Sequence, residues 1–317
     1  MPRKRRISIP GAVHHIISRG IDGREIFIDD NDRRFFIARI GRLLQENNYR
    51  CYAWALMSNH YHFLIRTSTV SLSRFMRKLN TTYAMYFNKR HTKQGYVYQD
   101  RYRSRICQER VYFLELVRYI HLNPVRGGVV KNLKELESYP WCGHGGIVGY
   151  NKPEWQQSGE VLARFCKSRK NAIQAYLSFM QEGLEKDTGL FQEDIYIFKD
   201  KQAQQSNKAV DDRIIGDRSF IEEVLHKAKL DHEKEKLISK VDKDIRQVAE
   251  WICRSNGIKM QDLLRKGRMN SRSKARETFC FKAHSLGITM KEIADFLGIG
   301  VPSVSKLYYK GLEEGKE

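Results

Sequence analysis

Hydrophobic positions recur with two different periods along this 317-residue chain, and the switches between the two periods lay out its elements. Ala12 to Ser18 is a run of β-favouring residues closed by Arg19-Gly20, which predicts a strand. After the acidic cluster Asp29 to Asp32, suited to a helix N-terminus, Phe35, Phe36, Ile40, Leu43 and Leu44 return at helical spacing up to Asn47-Asn48. Tyr49 to Met57 predicts a second strand, Ser58-Asn59 a turn and His60 to Arg66 a third strand. From Leu72 to Arg90 the helical period is back. Phe75, Met76, Leu79, Tyr83, Tyr86 and Phe87 form its apolar side; Arg74, Arg77, Lys78, Lys89 and Arg90 form the basic one, and Gly95 breaks it. Tyr96 to Ile106 alternates aromatic residues with arginines, which predicts a fourth strand with one face packed and the other offering cations and stacking rings. A helix over Glu109 to Leu122 follows, ended by Asn123-Pro124 and released by Gly127-Gly128.

Strand, helix, strand, strand, helix, strand is the split βαβ order of a ferredoxin-like sandwich. The expected fold class is therefore α+β, with such a sandwich over residues 1–150, a helical connecting region over 151–240, and an all-α domain over 241–317. In the last of these, Met290 to Leu297 predicts a helix, Gly298-Ile299-Gly300 a tight turn, and Pro302 the first turn of another helix. That is the spacing of a helix-turn-helix.

Charge narrows the class of partner. The formal net charge is +20, and it is unevenly placed: residues 1–150 carry 26 Lys/Arg against 11 Asp/Glu, 151–240 carry 16 against 16, and 241–317 carry 15 against 10. Two basic ends around a neutral middle point to a polyanion, either nucleic acid or an anionic membrane surface. No apolar run reaches membrane-spanning length, and the basic arm Met1 to Arg6 is not followed by a hydrophobic signal core; the expectation is a cytoplasmic, nucleoid-associated protein, monomeric or homodimeric, with no membrane partner. Six cysteines stand singly with no Cys-x-x-Cys pair, which fits reduced core thiols better than disulfides or a zinc knuckle. The neutral middle, with its polar link Lys201 to Asn207, carries no recognisable chemistry.

Candidate chemistry starts at His60-Tyr61-His62. In a strand, His60 and His62 project from one face and Tyr61 from the other, which makes the two imidazoles a grip for a divalent ion. Tyr119 and Asn123, four apart on a helix, also share a face, although a boundary aromatic and a helix C-cap would account for them equally. Brought together, two imidazoles and an amide oxygen leave open coordination positions for a phosphate oxygen. A tyrosine beside that phosphate, once deprotonated, can attack phosphorus and form a phosphotyrosine link with release of a 3′ hydroxyl. Candidate DNA-binding residues are Tyr98, Arg101, Arg103 and Arg105 in the fourth strand, Arg265, Lys266, Arg268 and Arg272 in the basic run before the last helices, and Ser303, Ser305 and Lys306 at the start of the final helix.

Three blocks in order, Met57-Ser-Asn-His-Tyr-His-Phe-Leu64, Gly95-Tyr-Val-Tyr-Gln-Asp-Arg-Tyr-Arg-Ser104 and Tyr119-Ile-His-Leu-Asn-Pro-Val-Arg-Gly-Gly128, resemble the HUH single-tyrosine transposases, in particular the REP-associated tyrosine transposases. The resemblance covers about half the chain. It implies a ferredoxin-like fold, cleavage of single-stranded or hairpin DNA, His60 and His62 as ligands of Mg or Mn, Tyr119 as nucleophile, and Asn123 as third ligand where many relatives carry Gln. One departure is Tyr61, where relatives usually carry a bulky aliphatic; it should point away from the ion into the sheet packing, but it is a second phenol to be excluded. The tail from Ile245 to Lys310 is similar to the DNA-binding domain of the bacterial chromosomal replication initiator, which implies duplex binding. The origin-contacting motif is replaced by Gly300-Val-Pro-Ser-Val-Ser305, so sequence preference is not implied. The expected function is a metal-dependent single-strand DNA endonuclease and strand transferase acting on repeat-associated hairpins through a 5′-phosphotyrosine. The rivals are a non-catalytic DNA-binding regulator and an RNA-binding sandwich that uses the Tyr/Arg strand for stacking.

Overall fold

Alternation at period 2 and period 3.6 is converted into layers in the computed structural model, which describes residues 6–7, 9–150, 153–185, 211–240, 245–265 and 270–314. The arm residues before Arg6 and the link Lys201 to Asn207 lie outside the described residues. The strands β1 (Val13–Arg19), β2 (Arg50–Leu56), β3 (His60–Arg66) and β4 (Arg103–Cys107) alternate with the helices α1 (Asp30–Glu46) and α2 (Leu72–Arg90) in the expected sequence. The sheet order is β2-β3-β1-β4, with β1 central and antiparallel to both β3 and β4. Asp29 caps α1 by accepting from the backbone N–H groups of Asn31 and Asp32, in line with the acidic cluster expected at a helix N-terminus.

The register assigns every strand side chain to a face. Arg19 lies opposite His60, Ile17 opposite both His62 and Arg103, and His15 opposite both Leu64 and Arg105. These residues therefore share one side of the sheet, together with Ala53 and Ala55 of β2. The other side carries Ile16, Trp54, Tyr61, Phe63 and Ile65, which are sealed under Phe36, Phe75, Leu79 and Tyr83 of α1 and α2. On the first side lies α3 (Glu109–Arg126), whose Phe113, Leu116, Val117 and Ile120 pack against Tyr52, Ala53, Ala55 and Leu64.

The fold departs from expectation in three places. The fourth strand is shorter than Tyr96 to Ile106: the chain from Gly95, at φ 90°, to Tyr102 is irregular, pairs in the sheet's manner at the bridge between Gly20 and Tyr98, and becomes regular at Arg103. Next, α3 does not stop at Leu122. It runs through Pro124 to Arg126, and the N–H groups of Gly127 and Gly128 close the last turn on the carbonyls of Asn123 and Val125, so Asn123 is inside the helix rather than its cap. Finally, the segment expected only to connect adds to the same body. After α4 (Leu133–Ser138) and α5 (His144–Val148), the helices α6 (Ser158–Leu162) and α7 (Arg169–Glu185) bury Val161, Leu162, Ala172, Tyr176 and Met180 against α3, and the two-residue β5 (Ile214–Ile215) extends the sheet parallel to β4. The helix α8 (Arg218–Lys240) follows it, packing Val224 with Ile7, Ile106 and Ile214.

The chain divides into two compact units, Met1–Ala228 and Lys229–Glu317. In the second, α9 (Ile245–Ser255), α10 (Met260–Leu264), α11 (Asn270–Ser285), α12 (Met290–Leu297) and α13 (Val301–Glu314) surround a core of Ile252, Leu263, Phe279, Ile293, Leu297 and Val304. Thr289 and Glu292 form a reciprocal capping box at the start of α12, and Gly298 ends it at φ 63°. Among the described residues no helix is long and apolar enough to cross a membrane.

Candidate active site

Because α3 lies on the sheet face that bears His60 and His62, its Tyr119 meets His62. The ring of Tyr119 stands edge-on to His62, with centroids 5.5 Å apart and planes at 89°, and His60 lies 5.0 Å from His62 in a similar T arrangement. Gly127, one turn after Asn123, has Met57 where a side chain would be: a Cβ there would fall 2.5 Å from the Met57 methyl. The end of α3 thus abuts the turn from which His60 emerges.

Both imidazoles are held by their Nδ1 atoms. His60 Nδ1 lies 2.6 Å from Asn59 Oδ1, and the Asn59 amide nitrogen donates to the Gly23 carbonyl, so the oxygen is the acceptor and His60 carries its proton on Nδ1. The tautomer keeps the His60 lone pair on Nε2. His62 Nδ1 is 3.1 Å from Nε2 of a third histidine, His15, whose ring is nearly parallel to it (9°) and lies 5.7 Å from Tyr119. Burial drives His62 well below the ordinary imidazole range, with His15 and His60 adding to the shift. Burial, aided by the Arg105 charge, lowers His15 to about 3. Both rings are neutral at physiological pH, the state a ligand needs.

Tyr119 is pulled in two directions. Burial raises the phenol above its ordinary value, while the Arg126 charge, a hydrogen bond from the Asn123 side chain and the Arg105 charge oppose that rise. The second phenol behaves differently. Tyr61 is fully buried on the opposite face, donates to Asn80 Oδ1 at 2.6 Å, and is raised far by desolvation. Asn123 donates from its amide nitrogen to the Tyr119 carbonyl at 2.8 Å, which leaves the amide oxygen as the atom suited to a cation. Two imidazoles and one amide oxygen match the donor set of a divalent ion. Among the described residues no group of three or more His, Cys, Asp or Glu side chains gathers for a metal, so any ion here would rely on the amide.

The candidate DNA-binding residues fare unequally. Arg103 and Arg105 stand on the same sheet face as the histidines, Arg103 exposed and Arg105 half-buried, and Arg101 is exposed just before β4. The expected stacking platform does not form. Tyr98 is half-buried against Tyr61 with its hydroxyl sealed off, and Tyr102 is buried under Arg6, whose guanidinium lies 4.0 Å from the ring. Only Tyr96, 86% exposed, is open among the three tyrosines, because the irregular chain after Gly95 does not alternate. In the second unit, Arg265 is exposed at the end of α10, Ser303 and Lys306 are exposed and Ser305 half-buried; Lys266, Arg268 and the side chain of Arg272 lie outside the described residues. Sequence reasoning missed His15, Asn59 and Arg126. For His15 a signal was present, since β1 of the expected fold runs beside β3 and period 2 puts His15 and Ile17 on one face.

Residues 9–123 match the family model described as Transposase IS200 like. The match covers just over a third of the chain and includes β1, β3 and α3 as far as Asn123. No curated protein matches. Among solved structures, the chain is similar to one described as "Structure of the REP associates tyrosine transposase bound to a REP hairpin", at 18% identity and a TM-score of 0.40, over 47% of this chain and 87% of that one.

Proposed function

We propose that the first unit is a metal-dependent, single-tyrosine DNA endonuclease and strand transferase of the transposase type, acting on single-stranded or hairpin DNA. The observation that carries this reading is the packing of Tyr119 against His62 on one sheet face, within a segment similar to IS200-like transposases. His60 and His62 through Nε2, and Asn123 through its amide oxygen, would hold Mg or Mn. Such a cation supplies Lewis-acid polarisation of a phosphate oxygen. The chain's own residues do the rest. Arg105 and Arg126 lower the cost of forming the Tyr119 phenolate, and the Asn123 amide holds the phenol oxygen in place. The Tyr119 Oη then bonds to phosphorus as the bond to the 3′ oxygen breaks, and that oxygen leaves with a proton as a free hydroxyl. Because the phosphotyrosine retains a phosphodiester bond, a later 3′ hydroxyl can reverse the step and join strands. Arg103 and Arg101 lie where they could track the DNA backbone. In the second unit, Ser303 and Lys306 at the start of α13, with Arg265 exposed at the end of α10, support a duplex-binding module.

The test is transfer of label from a 3′-labelled hairpin oligonucleotide to the purified full chain in Mn. Tyr119→Phe is expected to abolish the protein-linked strand while DNA binding stays within about twofold, and His60→Ala or His62→Ala to remove cleavage together with its dependence on the ion. An adduct that persists in Tyr119→Phe would move the nucleophile elsewhere. Binding without any adduct in the unaltered chain would favour a non-catalytic regulator.

A further inference from the structure

His15 is not accounted for by the reaction just described. It is a buried polar side chain in the central strand, one position along from another buried histidine, and its ring touches both His62 and Tyr119. Across the β1/β3 pair it is the diagonal neighbour of His62, since His62 is directly opposite Ile17 and His15 opposite Leu64. The contact is a nitrogen-to-nitrogen hydrogen bond, His15 Nε2 to His62 Nδ1 at 3.1 Å. Such a bond holds one proton, and which ring carries it fixes the chemistry of His62. With the proton on His62 Nδ1, the lone pair of His62 is on Nε2; with the proton on His15 Nε2, His62 must carry its own on Nε2 and cannot bind a cation there.

We propose that His15 is a positioning residue for His62: its Nε2 accepts a hydrogen bond from the His62 Nδ1–H and so holds the His62 lone pair on Nε2. Asn59 imposes the same tautomer on His60 through a side-chain oxygen, so the two rings are held through equivalent atoms by partners from different strands and turns. A cation on Nε2 makes the Nδ1 proton a better donor, and an acceptor on Nδ1 makes Nε2 a better ligand; the hydrogen bond and the ion reinforce each other. The consequence for ion affinity rests on the reading of His60 and His62 as ligands, whereas the tautomer does not.

Two measurements on the full chain separate these levels. In ion-free protein with 15N-labelled histidine, long-range nitrogen–proton spectra report the His62 tautomer directly; the expectation is Nδ1–H. Calorimetric titration with Mn then reports affinity for His15→Phe, which keeps a ring but no acceptor, and His15→Gln, whose side-chain oxygen can stand near the original Nε2. His15→Phe should bind Mn about 10- to 100-fold more weakly, the usual cost of losing such a partner, with His15→Gln recovering most of the loss, and melting curves of both variants checking the fold. The proposal is overturned if His62 is found as Nε2–H, if His15→Phe keeps the original affinity, or if Phe and Gln weaken binding equally. Absence of Mn binding by the unaltered chain alongside an Nδ1–H His62 that is lost in His15→Phe would sink the metal reading while leaving the role of His15 standing.

Discussion

The two faces of the sheet carry the same side-chain chemistry and put it to opposite uses. The contrast is clearest between neighbours: His14 and His15 on β1, and Tyr61 between His60 and His62 on β3, are separated only by the alternation of a strand. On the face under α1 and α2, Tyr61 gives its hydroxyl to Asn80 and His14 meets Ser104 at 2.9 Å; both side chains are buried. Under α3, His15 and His62 join through nitrogen, Tyr119 stands at their edge, and Arg105 and Arg126 bring charge to the phenol. The face under α1 and α2 holds its phenol and its imidazole in separate packing contacts, while the face under α3 gathers its own beside one another.

The largest difference is expected at the two phenols. Against the complete loss of adduct expected for Tyr119→Phe, Tyr61→Phe should leave the yield of protein-linked DNA within about threefold of the unaltered chain. Its cost should fall on stability instead. Removing the donor leaves Asn80 Oδ1 short of a partner in a half-buried site, worth about 1 kcal/mol by denaturant unfolding. A Tyr61→Phe protein that folds normally yet forms no adduct would erase the distinction between the faces.

Much of this is legible in the sequence. The helix over Leu72 to Arg90 is bounded by its own periodicity, and the assignment of His60 and His62 to one face, Tyr61 to the other, needs nothing beyond period 2. What local pattern cannot supply is the partner 47 residues away: His15 reads as one β-favouring position among several, and only strand order and register set it against His62. The alternation of Tyr and Arg over Tyr96 to Ile106 misleads for the opposite reason. It is a strong local pattern, but only Arg103 onward finds a neighbouring strand, while Tyr98 turns inward to Tyr61. The short β5 is invisible because two isoleucines have no period.

Adjacent histidines give an intermediate effect. Burial lowers His14 to about 4, well under the 6.5 of the unfolded chain. Above pH 6.5 the group is neutral in both states and contributes nothing. As pH falls below that value the unfolded chain takes up a proton that the folded one refuses, so stability drops by up to about 1.4 kcal/mol per pH unit until the folded value is reached. His14→Asn retains an amide where Nδ1 met Ser104 but no titrating group. It should reduce the loss of stability between about pH 7 and pH 5 by about 2 kcal/mol, read from urea midpoints at both pH values, without changing Mn affinity. A variant that weakens Mn binding as His15→Phe is expected to do would show the two faces to be coupled.

The smallest expected difference concerns charge at the rim. Arg103 on β4 shares the sheet face of the histidines, whereas Arg77 on α2 is exposed above the opposite one. A short single strand that only spans the cleavage point should lie along the first and not the second. Each phosphate contact in a single strand contributes about 0.7 to the slope of log affinity against log salt. Arg103→Ala should flatten that slope by about 0.7 and Arg77→Ala by less than half as much, measured by fluorescence anisotropy between about 50 and 200 mM salt. Equal changes would mean that the strand is held by the diffuse positive field of a basic protein, which acts at long range and ignores which face a residue occupies. An unequal pair would mean contact, because only direct neutralisation of a phosphate depends on the side of the sheet from which the arginine projects.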